Sequence, residues 1–337
     1  MWRCRGAARG SRGSRHTRGV VINERVRPAR RLVTGLLLVF GVPLLAITTL
    51  RALGFDGGWH TLILLALTPY AVVYGALLGG AALVLRRWWT GGIALAMTVL
   101  LAVFVAPRAM PDPQPTAAGK SLRVMSANLH LGHADAGAVV RLVRENRVDV
   151  LNLVELTPAE ESALDAAGLF AQLPYRVVHA APGADGSAVV SRYPLTEKNY
   201  TGDSAAKQPG AEADLGGGTV VEIVAVHPQS PDTGSGEWVR QTRDLSRAAG
   251  EHGLRILAGD FNATLDHSAL QTVLSRGYHD AADELGDGLQ PTWPADALPV
   301  VTLDHVLVDK RAAVRDYRVL AVPGTDHRAV YAEVQLP

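Results

Sequence analysis

Cysteine is almost missing from this 337-residue chain, with Cys4 its sole example. One cysteine excludes an intramolecular disulfide and a thiolate-built metal centre, and it leaves the redox compartment unmarked. Charge is missing from two long stretches. Leu32–Leu50 and Thr61–Leu85 contain no Asp, Glu, Lys or Arg, so neither has the polar face of a soluble amphipathic helix. A basic track is missing from the remainder. Residues 107–337 hold 20 basic and 30 acidic side chains, and the longest basic cluster, "DKRAAVRDYR", is interleaved with acids. That argues against a high-affinity groove for nucleic-acid phosphates.

What is present is strongly asymmetric. Residues 1–31 carry ten Arg and one Glu. This tail is too charged to bury a core and is expected to be disordered, suited to touching anionic lipid. Residues 32–106 read as three transmembrane helices. A crossing takes about 20 apolar residues. "LVTGLLLVFGVPLLAITTL" and "TLILLALTPYAVVYGALLGGAALVL" meet that length, while Gly91–Ala106 is shorter and is extended by Trp88 and Trp89. Gly75 and Gly79 make one small-xxx-small step suited to helix packing. The Arg-rich flank and Arg86-Arg87, against a loop holding only Arg51 and Asp56, put the N-terminus in the cytoplasm. Three crossings then place everything after Ala106 outside it, in a multi-pass plasma-membrane protein. Arg30-Arg31 before an apolar run also fits a twin-arginine signal, but the later apolar stretches argue against a single cleaved leader.

"PRAMPDPQPTAAG" (107–119) reads as a Pro-rich, semi-rigid linker. From 120 to 337, short apolar runs alternate with helical patterns. Strands are expected in "LRVMSANL", "DVLNLVEL", "YRVVHAA", "GSAVVSRYPL", "AEADLGG", "TVVEIVAVHP", "LRILAGDFNA", "VTLDHVLVD", "AAVRDYRVLAV" and "HRAVYAEVQL". Helices are expected in "DAGAVVRLVRENRV", "TPAEESALDAAGLF", "SGEWVRQTRDLSRAAGEHG" stopped by Gly253, and "DHSALQTVLSRG". Several strands follow one another directly, which favours an α/β fold of the two-sheet sandwich type over a simple alternating sheet. No repeat at a fixed period is visible.

Six strand ends carry groups able to bind a metal or move a proton: Asn128, Glu155, His227, Asp260 with Asn262, Asp304, and Asp326 with His327. None is Lys or Ser. Positions i and i+2 of a strand share a face, so Asp260 and Asn262 can aim together while Phe261 points away. Each group alone has an ordinary reading. Asn128 could close an Asx turn, Glu155 could favour a helix N-terminus, and His227 before Pro228 could cap an edge. Together they suit a hard cation that prefers oxygen ligands. Asp304 and His305 alternate across a strand, and Asp304 is taken as the one facing the mouth. His179, His252, His267 and His279 read as surface or loop histidines. Arg192 reads as structural, pairing with a carboxylate.

"SANL", "VEL", "GSAVVSRYPL", "VHP", "GDFNAT", "LDHVLV" and "TDHRAV", in this order, resemble the endonuclease/exonuclease/phosphatase family, the DNase I-like superfamily. The resemblance covers residues 121–337 and implies a two-sheet α/β sandwich behind the membrane helices. It implies metal-site residues Asn128, Glu155 and Asp326, with Glu155 the main ligand of Mg²⁺ or Mn²⁺. Asp260 would orient or deprotonate the attacking water. Asn262 would hydrogen-bond the phosphoryl group or nucleophile, and His227 would donate to a phosphate oxygen. Asp304 and Asp326 would support the site, one of them orienting His327, which would contact phosphate or assist proton transfer. The Tyr, Asn or Glu that some relatives carry between the metal Glu and the first His has no counterpart placed here.

The segment "PQSPDTGSGEW" after His227 is expected to loop over the mouth, and "PTWP" offers Trp293 for stacking or loop packing. The expected activity is metal-dependent phosphoester hydrolysis, diester over monoester. Expected partners are the bilayer and a phosphoester: a lipid head group, a small phosphoester or nucleic acid. An outward-facing nuclease and a non-catalytic binding module on the same fold are the alternatives.

Overall fold

The computed structural model describes residues 21–201, 206–246, 253–298 and 300–337. The first twenty residues of the basic tail and His252 lie outside the described residues.

The globular part is a two-sheet α/β sandwich. Its strands are β1 (Ser121–Asn128), β2 (Val150–Val154), β3 (Tyr175–His179), β4 (Ser187–Ser191), β5 (Leu195–Lys198) and β6 (Gly210–Asp214). They continue with β7 (Val220–Val226), β8 (Leu254–Asp260), β9 (Tyr278–Asp280), β10 (Asp304–Asp309), β11 (Ala313–Leu320) and β12 (Ala329–Gln335). One sheet has the order β11-β12-β1-β2-β4-β3, the other β5-β6-β7-β8-β10-β9. Period-two alternation assigns the faces. In β1, Leu122 and Val124 enter the core between the sheets, while Met125 and Ala127 face the helices outside. In β8, Ile256 and Ala258 face the other sheet and Leu257 faces its own helices. Burial on both faces explains why these strands read as nearly continuous apolar runs.

The strand order repeats although the sequence does not. In each sheet one pair is parallel, β1 with β2 and β7 with β8, and each pair is followed by an antiparallel partner, β4 or β10. A parallel pair delivers both its C-terminal ends to one rim. The sheets are tied across the core by Asn152 of β2, whose fully buried Nδ2 donates to Val224 O and Ala258 O, both at 2.8 Å. Gly259 is required by close strand packing. A Cβ there would sit 1.9 Å from Val226 O of the neighbouring strand.

Two helical expectations change. The helix expected to reach Gly253 spans Pro231–Asp244, and residues 247–252 lie outside the described residues. Its first turns occupy much of the segment expected to be a loop, with a kink at Gly234. Pro231 sits in the first turn, where its missing N–H costs nothing. Arg192 pairs with Asp149, 3.6 Å away, at the end of the sheet remote from the site.

The N-terminal region forms α1 (Val21–Leu53), α2 (Trp59–Ala66), α3 (Thr68–Val84) and α4 (Trp88–Val105). Residues 21–31, expected within the disordered tail, begin α1. Arg30–Leu53 and Trp88–Ala109 are each long and apolar enough to cross a membrane. The expected second span is instead a bent pair, α2 and α3 meeting at 66°, so the count is two, or three if the pair is one span. Gly75 and Gly79 allow close packing: a Cβ would lie 2.3 Å from Thr98 Oγ1 and 2.7 Å from Leu95 respectively.

The C-terminal end of α1, α2, the start of α3 and the segment after α4 all meet the sandwich. Asp56 accepts from Ser268 N and Ala269 N at 2.9 and 2.5 Å, and Tyr70 Oη donates to Val300 O at 2.7 Å. Buried Asp266 takes a two-pronged bond from Arg108 at 2.7 and 2.8 Å and one from Arg51 at 3.2 Å. Arg87, at the opposite end of the helices, donates to Arg30 O. The Pro-rich segment lies along the sandwich rather than standing off it. Asp112 N donates to Glu284 O at 3.0 Å and Gly119 N to Leu336 O at 2.8 Å, because backbone donors near a protein surface find partners where they can.

Asn152→Leu keeps the branched outline of the side chain, at a somewhat larger volume, and removes both bonds from this amide to the facing sheet. We expect a loss of about 1–3 kcal/mol, seen as a lower Tm of the detergent-solubilised chain. An unchanged Tm would mean that the bridge does not hold the sheets together.

Candidate active site

Both parallel pairs end at the same rim, and the expected polar groups stand there. Asn128 closes β1, Glu155 follows β2, His227 follows β7 and Asp260 closes β8. Asp304 begins β10 rather than ending a strand. Because β10 runs antiparallel to β8, its first residue lies directly opposite Asp260. His327 precedes β12, which runs antiparallel to β1, so it also reaches this rim.

The side chains are tightly joined. Asn128 Nδ2 donates to Glu155 Oε1 at 3.0 Å and to Asp260 Oδ2 at 3.1 Å. His227 Nε2 stands 3.7 Å from Glu155 Oε1 and 4.0 Å from Asp260 Oδ2. His327 Nδ1 is 2.9 Å from Asp304 Oδ2, and its Nε2 is 3.6 Å from Asp260 Oδ2. Asp304 therefore orients His327, leaving Nε2 toward the cleft. Asn262 N donates to Asp260 Oδ1 at 2.8 Å, an Asx turn, so the ordinary turn reading and the site reading describe the same residues.

Burial sets the electrostatics. Asp260 and Asp304 are each 2 % exposed. Burial pushes the Asp260 carboxyl up, opposed by His327 and reinforced by Asp304. Burial pulls the His327 imidazole down, but Asp304 and Asp260 outweigh it and raise it to about 10. The imidazole is thereby kept as a cationic donor at neutral pH. Glu155, Asn262, His130 and Leu131 all have positive φ, between 47° and 57°. That left-handed conformation is uncommon for non-glycine residues and clusters where neighbouring structure holds it for use.

The donor set fits a hard divalent cation. Glu155 and Asp260 converge on one amide, and the ion-pair partners of both, among the described residues, are histidines rather than Lys or Arg. Asp260, Asp304 and His327 offer ligand atoms all within 4.8 Å of one another. His327 and Asp304 already satisfy each other at 2.9 Å, so that triple reads as an imidazolium between carboxylates. Glu155, more open at 15 % exposure, is the better candidate to hold a cation, while Asn128 presents Nδ2 to it and its Oδ1 accepts from His130 N at 2.9 Å. Asp326, expected as a metal-site residue, is turned elsewhere. Its Oδ1 lies 2.7 Å from His130 Nδ1, and its Oδ2 accepts from Trp293 Nε1 at 3.2 Å.

Other residues escaped the sequence reading. Thr325 Oγ1 donates to Asn128 O at 2.9 Å and accepts from His327 N at 3.1 Å, fixing the last loop to β1. Thr292 Oγ1 accepts from Leu303 N and Asp304 N. A small hydroxyl two residues before His327 was the available signal, and it is a common turn feature. His267, expected as a surface or loop histidine, lies in the loop before Ser268 but is buried there, its Nε2 3.0 Å from Leu62 O. His305 faces away from the mouth, toward Asp280 and Ala263 O. Glu155, His227, Asp260, Asn262 and His327 share a cavity of about 800 Å³ with Trp293 and residues of α2.

Two sheets whose parallel pairs meet at an acid- and imidazole-lined rim define a hydrolase of the phosphoester type. The profile described as the Endonuclease/Exonuclease/phosphatase family matches residues 125–327, and the chain belongs to that family. Its enzymes hydrolyse phosphoesters and use divalent metals. No curated protein sequence matches the chain. Among solved structures, it is similar to D. rerio TDP2 humanized by 14 mutations (18% identity, 64% of this chain and 98% of that one, TM-score 0.53). It is also similar to an AP endonuclease from Archaeoglobus fulgidus (13% identity, 63% and 98%, TM-score 0.52). A family protein from Bacteroides thetaiotaomicron aligns at 14% identity over 65% and 99%, with TM-score 0.50. At such identities the likeness is one of fold.

Asp304→Asn removes the charge that holds His327 protonated. The imidazolium is present below its raised pKa and is lost as pH rises through it, so weakening the raise brings that loss to lower pH. With bis(p-nitrophenyl) phosphate we expect kcat to fall about 10²–10⁴-fold and the alkaline limb of the pH–rate profile to move down. A limb that stays in place would dissociate His327 from Asp304.

Proposed function

We propose that the chain is a membrane-anchored, divalent-metal-dependent phosphodiester hydrolase whose catalytic domain lies outside the cytoplasm, with its N-terminus inside. The observation that carries the chemistry is His327, pinned by Asp304 and facing Asp260 in one cleft with Asn128, Glu155 and His227. Apolar helices whose sandwich-side ends lie opposite Arg30 and Arg87 support the anchoring, and the arginine distribution supports the orientation.

Glu155 and Asn128 would hold Mg²⁺ or Mn²⁺, which would supply charge stabilisation at the phosphoryl oxygens. The protein groups do the rest. Asp260, with its carboxyl raised by burial, accepts the proton of the attacking water; a base with a pKa nearer working pH is more effective. The water oxygen bonds to phosphorus, and the P–O ester bond breaks with its electron pair on the leaving oxygen. His327 and His227 donate toward non-bridging oxygens, where negative charge builds up. Asn262 Nδ2 now donates to Pro228 O at 3.2 Å and is available to turn toward the same oxygens. Asp326 supports the rim through His130 and Trp293. A diester is favoured because one net negative charge is easier to bring into a cleft holding three carboxylates. The same acidic surroundings disfavour nucleic acid.

The full chain in detergent is assayed with bis(p-nitrophenyl) phosphate, p-nitrophenyl phosphate and plasmid DNA, in Mg²⁺ or Mn²⁺ and then in EDTA. We expect the diester to be hydrolysed faster than the monoester, with activity abolished by EDTA. Glu155→Gln and Asp260→Asn are expected to lower the rate by about 10³-fold or more. Preferential, salt-sensitive plasmid nicking would favour a nuclease. If Asp260→Asn changes every rate only a few-fold, the chain is a binding module on this fold.

A further inference from the structure

The short helix α2 follows the apolar α1 and is joined through a 66° bend to α3, yet part of it belongs to the sandwich. Leu62 is 2 % exposed and packs with Val226, Phe261, Ala263 and Leu270 beneath the second sheet. The fixings at Asp56, His267, Asp266 and Tyr70 hold the helix in place on both sides. A helix so held cannot act as an ordinary lipid-facing span.

Its other face is left open and apolar. Trp59, Ile63, Ala66 and Leu67 fall on one stripe of a helix, spaced at i, i+4, i+7 and i+8. Trp59 is 41 % exposed and Ile63 40 %. All four line the cavity that contains Glu155, Asp260 and His327, and Val300 and Leu303 line it as well. The cavity is thus lined both by acids and imidazoles and by an aliphatic and aromatic wall to which α2 contributes. A water-soluble phosphoester uses only the polar groups. A molecule with a phosphodiester joined to a hydrocarbon chain fits both.

Resting on the phosphodiesterase reading above, we infer that the substrate is an amphiphilic phosphodiester of the bilayer, its phosphoryl group at Glu155, Asp260 and His327 and an apolar chain along Trp59, Ile63 and Leu67. The bend between α2 and α3 sets this wall beside the catalytic rim, and continuity of α2 with the membrane helices gives the chain a route that stays in apolar surroundings. Trp59, Ile63 and Leu67 are positioning residues that select by chain length.

The test uses the full chain in a fixed amount of detergent and p-nitrophenyl alkyl phosphodiesters from ethyl to octyl, with Mg²⁺ or Mn²⁺. Each added methylene that finds apolar wall is worth up to about fourfold. We expect kcat/KM to rise at least about a hundredfold from ethyl to octyl. Ile63→Ala and, separately, Trp59→Ala should flatten that slope about tenfold or more, the loss growing with each added methylene. Partition of long esters into micelles would give a slope that neither variant alters, and that result overturns the inference. If one variant fails to fold the other still decides, and a flat wild-type slope with a hydrolysed ethyl ester overturns the lipid reading and leaves the hydrolase intact. No hydrolysis of any ester overturns the hydrolase reading itself.

Discussion

The buried amide of Asn152 sets the offset between the two sheets, and the catalytic rim exists only at that offset. Each sheet holds half of the site: Asn128 and Glu155 on one, His227, Asp260 and Asp304 on the other. Hydrophobic contact between the sheets is strong but non-directional, so it tolerates sliding. Two directional bonds from one side chain to two carbonyls of the facing sheet do not. The bond from Asn128 to Asp260 then closes the same gap at the rim.

Bringing three carboxylates together out of water is unfavourable unless each finds a partner. The partners here are polar groups and imidazoles rather than Lys or Arg. One cation, the His327 imidazolium, is shared by Asp304 and Asp260, and Glu155 is left with amide and imidazole contacts alone. The left-handed backbone at Glu155 and Asn262 belongs to the same compromise, since sharp turns at the strand ends are what aim these side chains into the cleft.

The apolar N-terminal helices bear on the sandwich more closely than a tether would. Arg51 and Arg108, from the ends of α1 and α4, meet on Asp266. Leu62 of α2 is core material for the second sheet. A charge pair buried this fully is costly to form and costly to break, so it acts as a registry device that keeps α2 against the cleft. The linker lies along the sandwich for a related reason: its backbone donors are taken up by Glu284 and Leu336.

Much of this was legible in the residues. Short apolar runs marked the strands, longer uncharged runs marked the apolar N-terminal helices, and an ordered series of strand-terminal acids, amides and imidazoles marked the rim. These are local signals, written every two or every three to four residues. Other features were not local. Asn152 lay unremarked within the apolar strand "DVLNLVEL", His267 read as a surface or loop histidine and Asp326 as a metal-site residue. Thr61–Leu85 read as one straight span, because hydropathy records how apolar a segment is and not what it packs against. The sequence by itself determined which side chains could do the chemistry and which segments were apolar. The tertiary structure decided their partners: Asp304 for His327, His130 and Trp293 for Asp326, and the catalytic cleft for α2. Such pairings join residues as many as 230 positions apart, and contacts between distant parts of a chain are set by the packing of whole layers, which no short stretch encodes.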